Sequence, residues 1–124
     1  MKETKTITEL TLALRQFASE RDWEQFHSPK NLVMALSVEV SELMEHFQWL
    51  TEGQSRSLTE ENKEEIKDEI GDSLIYLVRL ADQLEINLGD AAWSKLAKNR
   101  EKYPVSLSKG RSTKYTDFPT NEEK

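Results

Sequence analysis

EVSELMEHFQW, residues 39–49, sets three glutamates and a histidine along the flank of an apolar stripe. Projected at about 100° per residue, Leu32, Leu36, Leu43 and Leu50 form that stripe, and Glu39, Glu42 and His46 lie side by side on one edge of it. Helices of soluble proteins normally turn such groups to the face opposite the core. A second stretch, EIGDSLIY at 69–76, repeats the pattern: Glu69, Asp72 and Tyr76 share one edge of the stripe made by Ile66, Ile70, Leu77 and Leu84. Each helix therefore offers an acid pair at i, i+3. If the two helices are antiparallel neighbours, four carboxylates meet in a seam.

Around these two segments the chain reads as helices throughout. Leu10, Leu14, Phe17 and Ala18 predict a first helix from Ile7 to about Arg21. DWEQFHSPKN interrupts it, because Pro29 disfavours helical geometry at Ser28, and the segment becomes a loop carrying Trp23, Phe26 and His27. The second helix runs from about Lys30 to Leu50, and TEGQSRS forms a polar turn. Thr59 caps a third helix that continues to about Leu84, with Glu60 and Glu61 at the positive end of its dipole. Asp90 caps a fourth, roughly Ala91 to Tyr103, which Pro104 stops. Residues 105–124 read as an extended tail. No β-alternation survives, so the expected fold class is all-α: an antiparallel four-helix bundle in a single domain spanning 1–124, with its core at about 7–104. Met34, Val38 and Ile75 lie away from the main stripes, which predicts a homo-oligomer.

Composition narrows the function. The 124 residues suit one domain, and the net charge of −6 argues against binding long DNA or RNA, which calls for a basic stripe. The absence of cysteine removes disulfides and thiolate zinc sites. Neither a signal-peptide run nor a membrane span is visible, so the expected location is cytoplasmic, with no membrane partner.

Four carboxylates near a core repel one another and resist desolvation, so they either protonate or gather around a cation. An all-oxygen donor set suits Mg²⁺, with Mn²⁺ as a substitute, and Mg²⁺ commonly bridges substrate phosphates while keeping waters. A water activated by the metal or by a spare glutamate is then a nucleophile. Oxygen-activating di-iron bundles use Glu-x-x-His, which is missing here, since Leu43 stands three before His46. Glycosidase chemistry lacks the aromatic cleft that a sugar chain needs. Solvated acidic faces and ordinary core aromatics remain the plain alternative.

WEQFHSPKNLVMALSVEVSELMEHFQW, EEIKDEIGDSLIYLVRLAD, KNREKYP and KYTDF, in that order, resemble the MazG-like nucleotide pyrophosphohydrolases in their dCTP pyrophosphatase branch. The resemblance runs from about Leu10 to Phe118, and the family's Glu-x-x-Glu and Glu-x-x-Asp halves are met by Glu39, Glu42, Glu69 and Asp72. It implies an all-α homodimer or homotetramer that hydrolyses a nucleoside triphosphate to the monophosphate and pyrophosphate with Mg²⁺. It also implies that these four carboxylates are the metal ligands and catalytic centre, and that Trp23, Glu24, Gln25, Phe26, His27, Trp49 and Tyr76 line the nucleotide pocket. Glu42, or less directly Glu45, is the residue expected to orient the water. Lys95, Asn99 and Tyr103 share one face of the last helix, whose cations suit a leaving pyrophosphate. Some relatives carry a His in the first helix where this chain has Leu14. Two rival readings stand beside this one: the same reaction on another nucleotide, and a non-catalytic helical oligomer that binds a nucleotide or a partner helix.

Overall fold

The computed structural model describes residues 5–119. Among them every regular element is helical. Helix α1 spans Ile7–Glu20, α2 Pro29–Glu45, α3 Glu52–Ser55, α4 Glu60–Gln83, α5 Leu88–Lys102 and α6 Val105–Ser108. The chain separates into two compact units, Met1–Leu88 and Gly89–Lys124.

In the first unit, local chemistry starts each helix. Thr6, Ser28, Thr51 and Thr59 sit in extended geometry and accept hydrogen bonds from the backbone N–H three residues on, which satisfies donors the helix cannot. Pro29 opens α2, where its missing N–H costs nothing. Both α1 and α4 end in the same reversal. After α1, Asp22 takes a left-handed conformation (φ 55°), with Asp22 N–H bonded to Ser19 O and Trp23 N–H to Ala18 O. After α4, Glu85 does the same (φ 55°), with bonds to Asp82 O and from Ile86 N–H to Ala81 O. Glycine is the usual occupant of that position.

Helices α2 and α4 run antiparallel. His27, just before α2, pairs with Arg79 near the end of α4, while His46 at the end of α2 lies 3.9 Å from Glu65 near the start of α4. Leu32 from α2, Ile66, Val78 and Ala81 from α4 and Ala18 from α1 are the buried apolar residues. Arg15 of α1 reaches Asp82 of α4 through two hydrogen bonds of 2.8 and 2.6 Å, tying the first helix to the pair.

Several expectations need correction. The second helix stops at Glu45 instead of about Leu50, because the N–H groups of His46 and Phe47 bond three residues back and tighten the chain into turns. The polar turn TEGQSRS holds a single-turn helix, α3, closed by a reciprocal pair in which Thr51 accepts from Gln54 N–H and Gln54 accepts from Thr51 N–H. The loop at 24–26 is a 3₁₀ turn. Helix α5 begins at Leu88, which puts Asp90 in its first turn and not at its cap.

In the second unit the tail is not simply extended. It forms α6 and a 3₁₀ turn at Tyr115–Asp117, and Tyr103 packs edge-on against Tyr115 and Phe118 at 5.8 and 5.7 Å. The last five residues of the expected tail lie outside the described residues. No helix among the described residues is long and apolar enough to cross a membrane.

Candidate active site

The antiparallel register of α2 against α4 brings the two acid pairs to the same level. One oxygen each from Glu39, Glu69 and Asp72 lies within 4.8 Å of the others. Glu42, on the turn after Glu39, stays outside that cluster, yet its charge reaches both Glu39 and Glu69. Glu39 Oε2 and Glu69 Oε2 are buried without a hydrogen-bond partner. Desolvation pushes the Glu39 carboxyl up to about 7, helped by a hydrogen bond that its protonated form donates to Glu42, by the charge of Glu42 and by the charges of Asp72 and Glu69. Glu69 is raised in the same way, by desolvation first and then by Glu42. Orphaned buried carboxylate oxygens that repel one another fit a hard dication, which would satisfy both and relieve the repulsion.

The cluster forms one wall of a cavity of about 300 Å³, where Glu39 and Asp72 meet Tyr76 and Ile75 of α4, Leu14, Phe17 and Ala18 of α1, and Trp23, His27 and Arg79. The reversal at Asp22 plants Trp23 there. Its indole meets Phe17 edge-on at 5.6 Å and the His27 ring at 6.4 Å. The Arg21 guanidinium lies over the Phe17 ring, 3.7 Å from its centroid. The cavity is thus largely apolar and lined by rings, with the acid cluster at its wall.

Arg79 is 3 % exposed and uses its whole fork. Nε and Nη2 approach His27 Nδ1 at 3.3 and 3.2 Å, and Nη1 lies 3.6 Å from Asp82. The hydrogen bonds from Arg15, and the charges of Arg15 and Arg79, hold the Asp82 carboxyl below the usual carboxylate range.

Of the residues singled out in the sequence, Glu39, Asp72, Trp23, His27 and Tyr76 line this cavity, and Glu69 joins through the acid cluster. Glu24, Gln25 and Phe26 do not line it. Gln25 turns back to the Asp22 carbonyl and carboxylate, Phe26 O accepts from Asn31 Nδ2, and all three residues are exposed. Trp49 is 87 % exposed and outside the cavity wall. Ile75, expected on an outer face, lines the cavity. Lys95 and Asn99 lie on α5 in the second unit, where Lys102 and then Lys98 lower the Lys95 pKa. Leu14, noted in the sequence as the place where some relatives carry a His, lines the cavity, whereas sequence reasoning missed Phe17 and Ala18 as cavity wall, and Arg79. The signal for Arg79 was present: it follows Asp72 by seven and Tyr76 by three, so a lone cation in an apolar run shares their helix edge.

The MazG-like family model matches residues 34–118. The chain is 45% identical over 116 residues to the dCTP pyrophosphatase 1 of Rattus norvegicus, covering 92% of this chain and 68% of that protein. It is 42% identical to the Homo sapiens protein of the same name, over the same 116 residues and the same shares. A crystal structure of a pyrophosphatase from Archaeoglobus fulgidus superposes with a TM-score of 0.76 at 41% identity, covering 84% of this chain and 97% of that one. With the family model extending over more than half of its length and these relatives over most of it, the chain belongs to the MazG-like family.

Proposed function

We propose that this protein is a nucleoside triphosphate pyrophosphohydrolase that cleaves dCTP, or a closely related or modified deoxynucleotide, to the monophosphate and pyrophosphate. The observation that carries the reading is the cluster of Glu39, Glu69 and Asp72, with two buried carboxylate oxygens left unpartnered, opening on a ring-lined cavity. The kinship with dCTP pyrophosphatases supports the choice of substrate.

Glu39, Glu69 and Asp72 would hold Mg²⁺, with Glu42 at the edge of the set. The ion supplies charge neutralisation on the phosphates and a lowered pKa for water. Trp23, Phe17 and Tyr76 grip the base and sugar by stacking and edge contacts. Glu42, outside the tight cluster, takes the proton of the attacking water. The water oxygen bonds to the α-phosphorus as the bond from that phosphorus to the α,β-bridging oxygen breaks, and pyrophosphate departs. The reading takes the chain as a single functional domain. The family match across both compact units supports that. Trp49 belongs to a pocket completed by a second subunit. Met34 and Val38, each 56 % exposed on α2, supply the apolar face for a cytoplasmic homodimer or homotetramer.

Ion-exchange product analysis after incubation with each nucleoside triphosphate and Mg²⁺ tests the reading. dCMP with pyrophosphate, strongest for dCTP and abolished by EDTA, is the expected result. Stronger turnover of another nucleotide reassigns the substrate, and binding without phosphate release leaves a non-catalytic helical oligomer.

A further inference from the structure

The only two hydrogen-bonding atoms of the His27 ring are Nδ1 and Nε2, and the structure commits the first. A guanidinium is a donor at every nitrogen and stays charged at all ordinary pH values. With Arg79 Nε and Nη2 both directed at Nδ1, that nitrogen must present its lone pair. A proton on Nδ1 would oppose two N–H groups to a third. A neutral imidazole carries one proton, so it resides on Nε2, for which no protein partner stands among the described residues. Arg79 cannot swing away to allow the other tautomer, because it is buried and its third nitrogen faces Asp82, itself gripped from outside by both donors of Arg15.

We propose that Arg79 is a positioning residue: locked by Asp82 and Arg15, it holds the neutral His27 ring in the Nε2–H tautomer, so that the cavity offers one fixed hydrogen-bond donor to an acceptor atom on the nucleotide's base. This rests on the nucleotide reading of the cavity for its functional part, whereas the tautomer itself does not. A base that brings a carbonyl oxygen or an unprotonated ring nitrogen to this point is accepted. A base that brings an N–H there meets two opposed donors and leaves both unsatisfied, which is a strong basis for rejection. Burial, and then the charge of Arg79, lower the His27 pKa and so favour the neutral ring.

The test is a long-range ¹H–¹⁵N spectrum of the intact protein labelled with ¹⁵N-histidine at neutral pH. The chain has two histidines, and His46→Gln assigns the signals. The expected pattern for His27 is a pyridine-like Nδ1 and a pyrrole-like Nε2. The opposite assignment, or two equivalent protonated nitrogens, overturns the proposal whether or not the protein hydrolyses dCTP. If hydrolysis fails while the tautomer holds, the functional reading has failed on its own. Arg79→Lys keeps the charge beside Asp82 but cannot serve Asp82 and place two donors on Nδ1. It is expected to raise KM for dCTP by about tenfold, one neutral hydrogen bond's worth, with kcat nearly unchanged. An unchanged KM, or a loss confined to kcat, overturns the positioning role. Where that variant does not fold, the spectrum of the unmodified chain decides.

Discussion

At the scale of single residues, the acid cluster sets catalysis against stability. Glu39 is an acid whose folded pKa, about 7, stands above its ordinary value of 4.5. The folded chain therefore holds more protons than the unfolded one between those values, and the metal-free protein loses stability as pH rises through that window. Thermal melts in EDTA are expected to give a higher Tm near pH 5 than near pH 8, and Mg²⁺ is expected to restore the loss at the higher pH. Glu39→Gln removes the same repulsion. It should raise the metal-free Tm by a few degrees while lowering Mg²⁺-dependent kcat by roughly 10²–10³-fold, read from melts and pyrophosphate release on one preparation. The sequence made this cluster legible because i, i+3 spacing fixes which side chains share a helix edge. It could not exclude Glu24, Gln25 and Phe26 from the cavity, since a three-residue 3₁₀ turn leaves no periodic signature and its side chains are claimed by local bonds such as Gln25 to Asp22. Nor could it assign Leu14 and Phe17, which read equally well as core.

At the scale of elements, the helices were legible from their apolar spacing and caps, and Ser28–Pro29 and Thr59 mark the starts of α2 and α4 as read. The ends of α1 and α4 were read to within a residue, at about Arg21 and Leu84, whereas α2 stops about five residues before the expected Leu50. The exit of α4 is carried by Glu85 in a left-handed conformation, a residue that gives no stop signal of the kind glycine does. The same fact predicts a gain. Glu85→Gly relieves the steric cost of a Cβ at φ 55° and is expected to stabilise the protein by roughly 0.5–1 kcal/mol, after deducting the entropy glycine adds to the unfolded chain. The urea midpoint should rise with an unchanged m-value. Asp22, equally left-handed, is a poorer target, because its carboxylate holds Gln25 and the reversal it makes delivers Trp23 to the cavity. Helix α3 was illegible for another reason: four residues cannot display a period, and only the Thr51–Gln54 reciprocal pair betrays it.

At the scale of the whole molecule, Met34 and Val38 on α2 remain outside any core of the single chain. Analytical ultracentrifugation is expected to give a multiple of 14.4 kDa, and Val38→Asp to shift the boundary toward 14.4 kDa while leaving the helical circular dichroism intact. A wild-type monomer at micromolar concentration would count against the shared-pocket reading of Trp49. The three tryptophans occupy distinct stations: Trp23 on the cavity wall, Trp49 beyond the end of α2 and Trp93, 69 % exposed, on α5. That distribution gives the protein a built-in set of fluorophores. Stacking of a base should quench Trp23 emission, a change lost in Trp23→Phe and retained in Trp93→Phe. Dilution below the dissociation constant of the proposed oligomer should red-shift Trp49 alone. Ligand capture and any subunit dissociation are thus expected to carry separate optical signatures in a chain that needs no dye.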